Sequence, residues 1–190
     1  MSASESESNS SRRSSATDLR TNLKLSIGDA TSFNVMVGLG ETYFPAFALA
    51  LGKDEPISGL IATLPMLAGA TMQLLVPHAI KHFGSYRRWV VFCATVQALS
   101  FIPLTIAAFL GDISTIWLFA VVALYWASGQ ATVPVWNTWI EALIPSRIRA
   151  PYFACRTRIA QFGTVAGVVG GGLALHFGKK SGLELKVFGI

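Results

Sequence analysis

A carboxylate set inside an apolar run is the group with the most chemistry to offer in this chain. Glu41 stands in Val37-Gly38-Leu39-Gly40-Glu41-Thr42-Tyr43, near the middle of a stretch from about 29 to 51 whose other acid, Asp29, opens it. An acid at the centre of a membrane helix costs about 2.5 to 3.5 kcal/mol on insertion scales and rarely faces lipid. Asn34, Gly38, Glu41, Pro45 and Ala48 fall at spacings of three or four, so on a helix they share one face. That face is expected to look into a bundle. Two roles fit Glu41: a proton-coupling or substrate-binding carboxylate, or a packing acid hydrogen-bonded to a neighbouring helix.

Gln73, Gln97, Gln130 and Asn137 bring polar groups to later apolar runs, either as substrate ligands or as hydrogen bonds between helices. Trp126, with Tyr125, lies too deep in its run to anchor at an interface and fits a cavity wall or ordinary packing. Asn34, Gln73, Gln130 and Trp126 therefore join Glu41 as the candidate substrate or proton-coupling set. Asp29 suits a helix N-terminus or an interfacial charge. His78, His82 and His176 sit at run ends without ligand spacing, and Cys93 and Cys155 support neither a metal site nor a disulfide framework. No cofactor or metal is expected. HExxH, Gly-x-Ser-x-Gly and paired acids with histidine are all missing from the sequence, so an enzyme is not expected either. Gly163, Gly167 and Gly171 recur at every fourth position, a pattern that lets a second helix approach closely.

The elements that must position these residues follow from composition. Of the 190 residues 52% are hydrophobic and 13% charged, a poor recipe for a surface facing water. The net charge of +5 is spread between apolar runs and not gathered in a basic stripe with aromatics, so a nucleic-acid partner is not expected. Residues 1–24 are Ser-rich and polar, and predict a disordered tail. Five apolar segments follow, at about 29–51, 57–80, 89–110, 113–134 and 159–177. Each is near the ~20 residues that cross a bilayer as a helix, and too long and uniformly apolar for barrel strands. Pro45, Pro65, Pro77, Pro103 and Pro134 lie within them, as membrane helices tolerate. From 183 to 190 the chain turns apolar again, as the start of a sixth helix. The expected fold is an all-α membrane protein with five complete transmembrane helices plus that start.

Lysines and arginines set the expected orientation. With the N-terminus cytoplasmic, Arg12, Arg13, Arg20, Lys24, Lys81, Arg87, Arg88, Arg147, Arg149, Arg156 and Arg158 lie inside, and Lys53, Lys179, Lys180 and Lys186 outside. The predicted location is a plasma or inner membrane, multi-pass, with the bilayer as the first partner.

Several stretches resemble a known family. Gly84, Arg87 and Arg88 match the end of a Gly-x-Leu-Ala-Asp-Arg-x-Gly-Arg-Arg pattern, with Lys81 where that pattern has its acid. Glu141 to Arg156, with Pro145, Arg147, Arg149 and the Tyr152-Phe153 pair, is similar to that family's link between its fourth and fifth helices. The run from Gly163 to Gly172 looks like its antiporter motif, with Val168 in place of proline. The family is the major facilitator superfamily. The resemblance implies that residues 25–190 are a truncated N-terminal six-helix domain, half of a 12-helix bundle. It also implies cytoplasmic gating loops at Gly84, Arg87, Arg88, Arg147 and Arg149. Its inverted three-helix repeats find an echo in His82-Phe83-Gly84 and His176-Phe177-Gly178. The expected function is transport of a small solute by alternating access, with a C-terminal six-helix half or a second copy as partner. The alternative is a non-transporting membrane scaffold or sensor subunit.

Overall fold

The computed structural model describes residues 3–181 and 184–189. Among them the chain forms helices and no strands: α1 (Ala3–Leu39), α2 (Phe44–Ala50), α3 (Glu55–Phe83), α4 (Tyr86–Leu99), α5 (Phe101–Leu110), α6 (Thr115–Leu143), α7 (Ser146–Lys180) and α8 (Glu184–Val187), with a 3-10 turn at Glu41–Tyr43. Four helical stretches are long and apolar enough to cross a membrane: Glu55–Phe83, Tyr86–Leu110, Thr115–Glu141 and Ser146–Lys180.

The first apolar segment is not one continuous helix. It is divided at Gly40 to Tyr43 between α1 and α2, and Pro45 gives the reason. A proline has no N–H to offer the carbonyl four residues back, and its ring clashes with that carbonyl, here Glu41. Tyr86–Leu110 is divided more gently at Ser100, where Pro103 withholds a donor from Leu99 and the Ser100 hydroxyl donates to the Gln97 carbonyl at 2.6 Å. Upstream, the backbone of α1 continues as helix through the Ser-rich stretch expected to be disordered; once a helix is nucleated, each added residue gains a hydrogen bond.

Helix ends obey local chemistry. Gly84 closes α3 with φ 64° and donates its N–H to the Ile80 carbonyl at 2.9 Å, a left-handed cap that glycine adopts without steric cost. The basic stretch after α6 forms the first turns of α7. There Arg149 donates to the carbonyls of Glu141 at 2.8 Å and Ile144 at 3.2 Å, placing a cation on the negative end of α6.

Packing is by pairs: α1 runs along α7, while α6 is flanked by α3 and α4. Glycines make both main crossings. A Cβ on Gly167 would lie 2.6 Å from the Val35 carbonyl oxygen and 2.9 Å from Gly38 Cα, and one on Gly38 would overlap the Thr164 carbonyl oxygen. On the other side, a Cβ on Gly69 would lie 2.9 Å from the Trp126 carbonyl oxygen and from Gln130 Cγ.

These crossings repeat each other. Gly163 meets Thr31 and Val35 as Gly69 meets Trp126 and Gln130. Gly163 follows Gly69 by the interval at which Gly178 follows Gly84, and Trp126 and Gln130 follow Thr31 and Val35 by one residue more. Position 73 on α3, opposite Gln130, likewise becomes Gly167 on α7, opposite Val35. One helix-pair geometry occurs twice, with the elements exchanged.

Buried side chains form two clusters. Phe44, Phe47, Ile61, Leu104, Leu118, Val122 and Tyr125 belong to the larger; Val76, Trp89, Cys93, Ala131 and Val135 form the smaller. Outside them large apolar side chains stand exposed, Ile116 at 80% and Leu74 at 77%, consistent with a multi-pass membrane protein.

Gly167→Val is expected to destabilise the chain by about 1–3 kcal/mol through overpacking. Gly170→Ala, whose Cβ would meet only Leu39 Cδ2 at 3.8 Å, should melt as the parent does. Thermal unfolding in detergent, followed by tryptophan fluorescence, measures both. A parent-like melting temperature for Gly167→Val would contradict the close backbone approach.

Candidate functional site

The interruption of the first apolar segment presents Glu41. Its Oε2 accepts a hydrogen bond from the Tyr125 hydroxyl of α6 at 2.9 Å. The turn carrying it is held from three sides. Tyr43 donates its hydroxyl to the Val168 carbonyl of α7 at 2.5 Å, Thr42 donates to the Val37 carbonyl at 3.1 Å, and Ser58 of α3 donates to the Pro45 carbonyl at 2.7 Å. The Thr42 bond satisfies a carbonyl at the end of the broken helix α1, which hydrocarbon cannot do. Gly171 admits the Tyr43 ring, since a Cβ there would lie 2.6 Å from its Cε2.

Tyr125 is fully buried, at 0% exposure. Its ring meets Phe44 edge-on with centroids 5.2 Å apart, Phe101 at 5.3 Å and Trp126 at 6.1 Å. Rings from α2, α5 and α6 thus fix the direction in which the hydroxyl points. Buried Gln97 of α4 is the other polar side chain beside that hydroxyl. Its amide reaches so far in because α6 has glycine opposite: a Cβ on Gly129 would lie 2.6 Å from Gln97 Nε2.

The remaining members of the candidate set lie elsewhere. Gln73 Nε2 donates to Gln130 Oε1 at 2.8 Å, joining α3 to α6. Asn34 donates to the Ala30 carbonyl at 2.8 Å and accepts from the Thr164 hydroxyl at 2.9 Å, joining α1 to α7. In this structure all three serve helix contacts. Trp126 stands next to Tyr125 and shares the surroundings of Glu41 only through that ring.

At the basic ends, Arg87 and Arg88 are exposed in the first turn of α4, Gly84 caps α3, Arg147 is exposed and Arg149 caps α6. Arg156 makes a contact that its sequence position did not suggest. Its guanidinium lies 4.0 Å from the ring centroid of Trp136 on α6 while Nε donates to the Ser26 carbonyl of α1 at 3.3 Å. It thereby ties three helices together through a cation–π contact and a hydrogen bond.

A cavity of about 760 Å³ opens between α1, α2, α5, α7 and α8, lined by Met36, Leu39, Phe44, Phe47, Phe101 and Leu104 among others. It is largely apolar, and Glu41 does not line it. The carboxylate and the cavity are separate features that share the wall made by Gly40, Tyr43 and Phe44.

No family model, no curated protein and no solved structure matches this chain. The functional argument therefore rests on the geometry.

The Gln73–Gln130 bond is expected to act as a helix tie. Measured by a double-mutant cycle with Gln73→Leu and Gln130→Leu, its coupling energy should fall near the ~0.6 kcal/mol mean of interhelical hydrogen bonds in membranes and below their maximum of about 1.7. Zero coupling in unfolding from detergent would show that the two amides do not depend on each other.

Proposed function

We propose that this chain is the N-terminal half of a secondary transporter of the major facilitator type, moving a small solute by alternating access in a plasma or inner membrane. One observation carries the reading: an interrupted helix places an intramembrane carboxylate, Glu41, on a buried tyrosine of α6. Discontinuous helices near the midplane, at the interface of inverted repeats, are where secondary transporters build solute and ion sites. Intramembrane acids are functional by default. The glycine crossing that occurs once between α1 and α7 and again between α3 and α6 supports such a repeat.

On this reading α1 and α2 together make the first of five spans, Tyr86–Leu110 the third, and α8 begins a sixth. The repeat supports a place for the sixth. Carried across by the same intervals, Ala131, Val135, Ile80 and Cys93, which form the seat of α4 on α3 and α6, become Met36, Gly40, Ala174 and Val187. All four line the apolar cavity. This supports reading the cavity as the seat of the sixth helix that α8 begins. A second half, or a second copy, closes the transport path. Glu41 takes up and gives back a proton as the path opens to either side, and Arg87, Arg88, Arg147 and Arg149 face the cytoplasm.

The test uses proteoliposomes in which this half is co-reconstituted with its partner half, an interior pH dye, and a panel of amino acids, sugars, organic acids and organic cations. At least one class should change interior pH with the parent protein and at least tenfold more slowly with Glu41→Gln. No response to any class, or an undiminished response in Glu41→Gln, would count against the proposal. In cells, a cysteine at Asp54 should be labelled by an impermeant maleimide from outside and one at Arg87 only after permeabilisation.

A further inference from the structure

Glu41 of the interrupted helix and Gln97 of α4 both lie beside the Tyr125 hydroxyl of α6. The tyrosine hydroxyl is the centre of the three, with one hydrogen to give and lone pairs to accept. In the structure it gives the hydrogen to Glu41 Oε2 at 2.9 Å. Three features make this arrangement directional. The ring cannot turn away, because Phe44, Phe101 and Trp126 pack around it. Gln97, as an amide, carries both a donor and an acceptor at its tip. Gly129 leaves that tip room which any side chain would fill.

No other charged side chain competes. Among the described residues Tyr125 is the polar partner of Glu41, the one salt bridge joins Lys53 to Asp112, and Tyr43, in the same turn, is engaged with the Val168 carbonyl. From α6 Tyr125 faces it, and from α4 Gln97 lies beside the Tyr125 hydroxyl.

We infer that Tyr125 is a hydrogen-bond switch, its O–H directed to Glu41 when the carboxylate is ionised and to Gln97 when Glu41 carries a proton. In the first state the Gln97 amide N–H donates to the tyrosine oxygen and the tyrosine O–H donates to the carboxylate. A proton arriving from water on Glu41 reverses these bonds. The new carboxyl O–H donates to the tyrosine oxygen, the tyrosine O–H swings over, and the amide turns its Oε1 to accept it. In both states the tyrosine hydroxyl keeps one group to donate to and one to accept from. The protonation state of the interrupted helix is thereby registered at α4. Tyr125 is a positioning residue in this scheme. The inference rests on Glu41 as the titrating group of the proposed transporter, and needs no knowledge of the solute.

Infrared difference spectra of the full chain in phosphatidylcholine liposomes, taken across a pH step, test it directly. In the parent protein a carboxyl C=O band absent from Glu41→Gln should appear together with a displaced tyrosine C–O band. Tyr125→Phe keeps the ring in place; it should lose the tyrosine signal and move the Glu41 band to higher wavenumber. Gln97→Met keeps the volume and removes the second partner, so the Glu41 band should persist while the tyrosine displacement shrinks. A Glu41 band that titrates with no tyrosine change, or that stays put in Tyr125→Phe, overturns the switch and leaves Glu41 as a titrating group. Absence of any Glu41 band at either pH overturns the titration itself, and the switch with it.

Discussion

The backbones of α1 and α7 touch at Gly38 and Gly167, and much of the candidate site depends on that contact. Without a side chain on either residue the helix axes come close enough to bring the Val168 carbonyl within reach of the Tyr43 hydroxyl. That bond holds the 3-10 turn, and the turn aims Glu41. In hydrocarbon, where a free carbonyl costs several kcal/mol, a helix can break only where a neighbour supplies donors. Here Thr42 donates to the Val37 carbonyl and Ser58 of α3 to the Pro45 carbonyl, while the Val168 carbonyl of α7 accepts from Tyr43. The interruption is therefore a product of packing as much as of Pro45.

A second constraint is the shortage of buried surface. The clustered core is small, and large apolar side chains such as Leu110 and Ile116 are 76% and 80% exposed. In a bilayer these side chains gain nothing by finding each other, so association must come from close fit and from polar ties. The chain uses both. Gly69, Gly163 and Gly167 give fit. Gln73 with Gln130, Thr164 with Asn34, and Arg156 with Trp136 give ties.

What the sequence made legible was of one kind. Length and polarity marked apolar helices at about 57–80, 89–110, 113–134 and 159–177, which the structure gives as Glu55–Phe83, Tyr86–Leu110, Thr115–Glu141 and Ser146–Lys180. The four-residue spacing of Gly163, Gly167 and Gly171 marked a face, and an acid among apolar residues marked Glu41. Each of these is a property of a single helix. Partners are not, because which residue of α6 lies opposite position 41 depends on crossing angles that no single periodicity records. Tyr125 read as packing or cavity wall for that reason, and Gln97 as one polar residue among four. Arg156 read as a topology cation because the ring it covers lies on another helix. The division of the first segment is not legible from Pro45 alone, since tolerance of proline in membrane helices does not say whether a given one bends or breaks.

The two glycine crossings are alike in backbone and unlike in side chain, and the difference bears on how each is held. Between α3 and α6 the crossing is closed by two amides bonded to each other, and no interruption follows. At the equivalent place between α7 and α1 the pair is Gly167 and Val35, which leaves backbone contact without a side-chain bond. The tie lies instead at Thr164 and Asn34, three residues before Gly167 and one before Val35, and beyond it α1 breaks. A crossing held by a mutual amide bond resists sliding, because sliding would break a buried pair. The glycine contact between α1 and α7 is flanked by two ties, Thr164 to Asn34 and Tyr43 to the Val168 carbonyl, so Glu41 sits on an arm held on both sides of its closest approach.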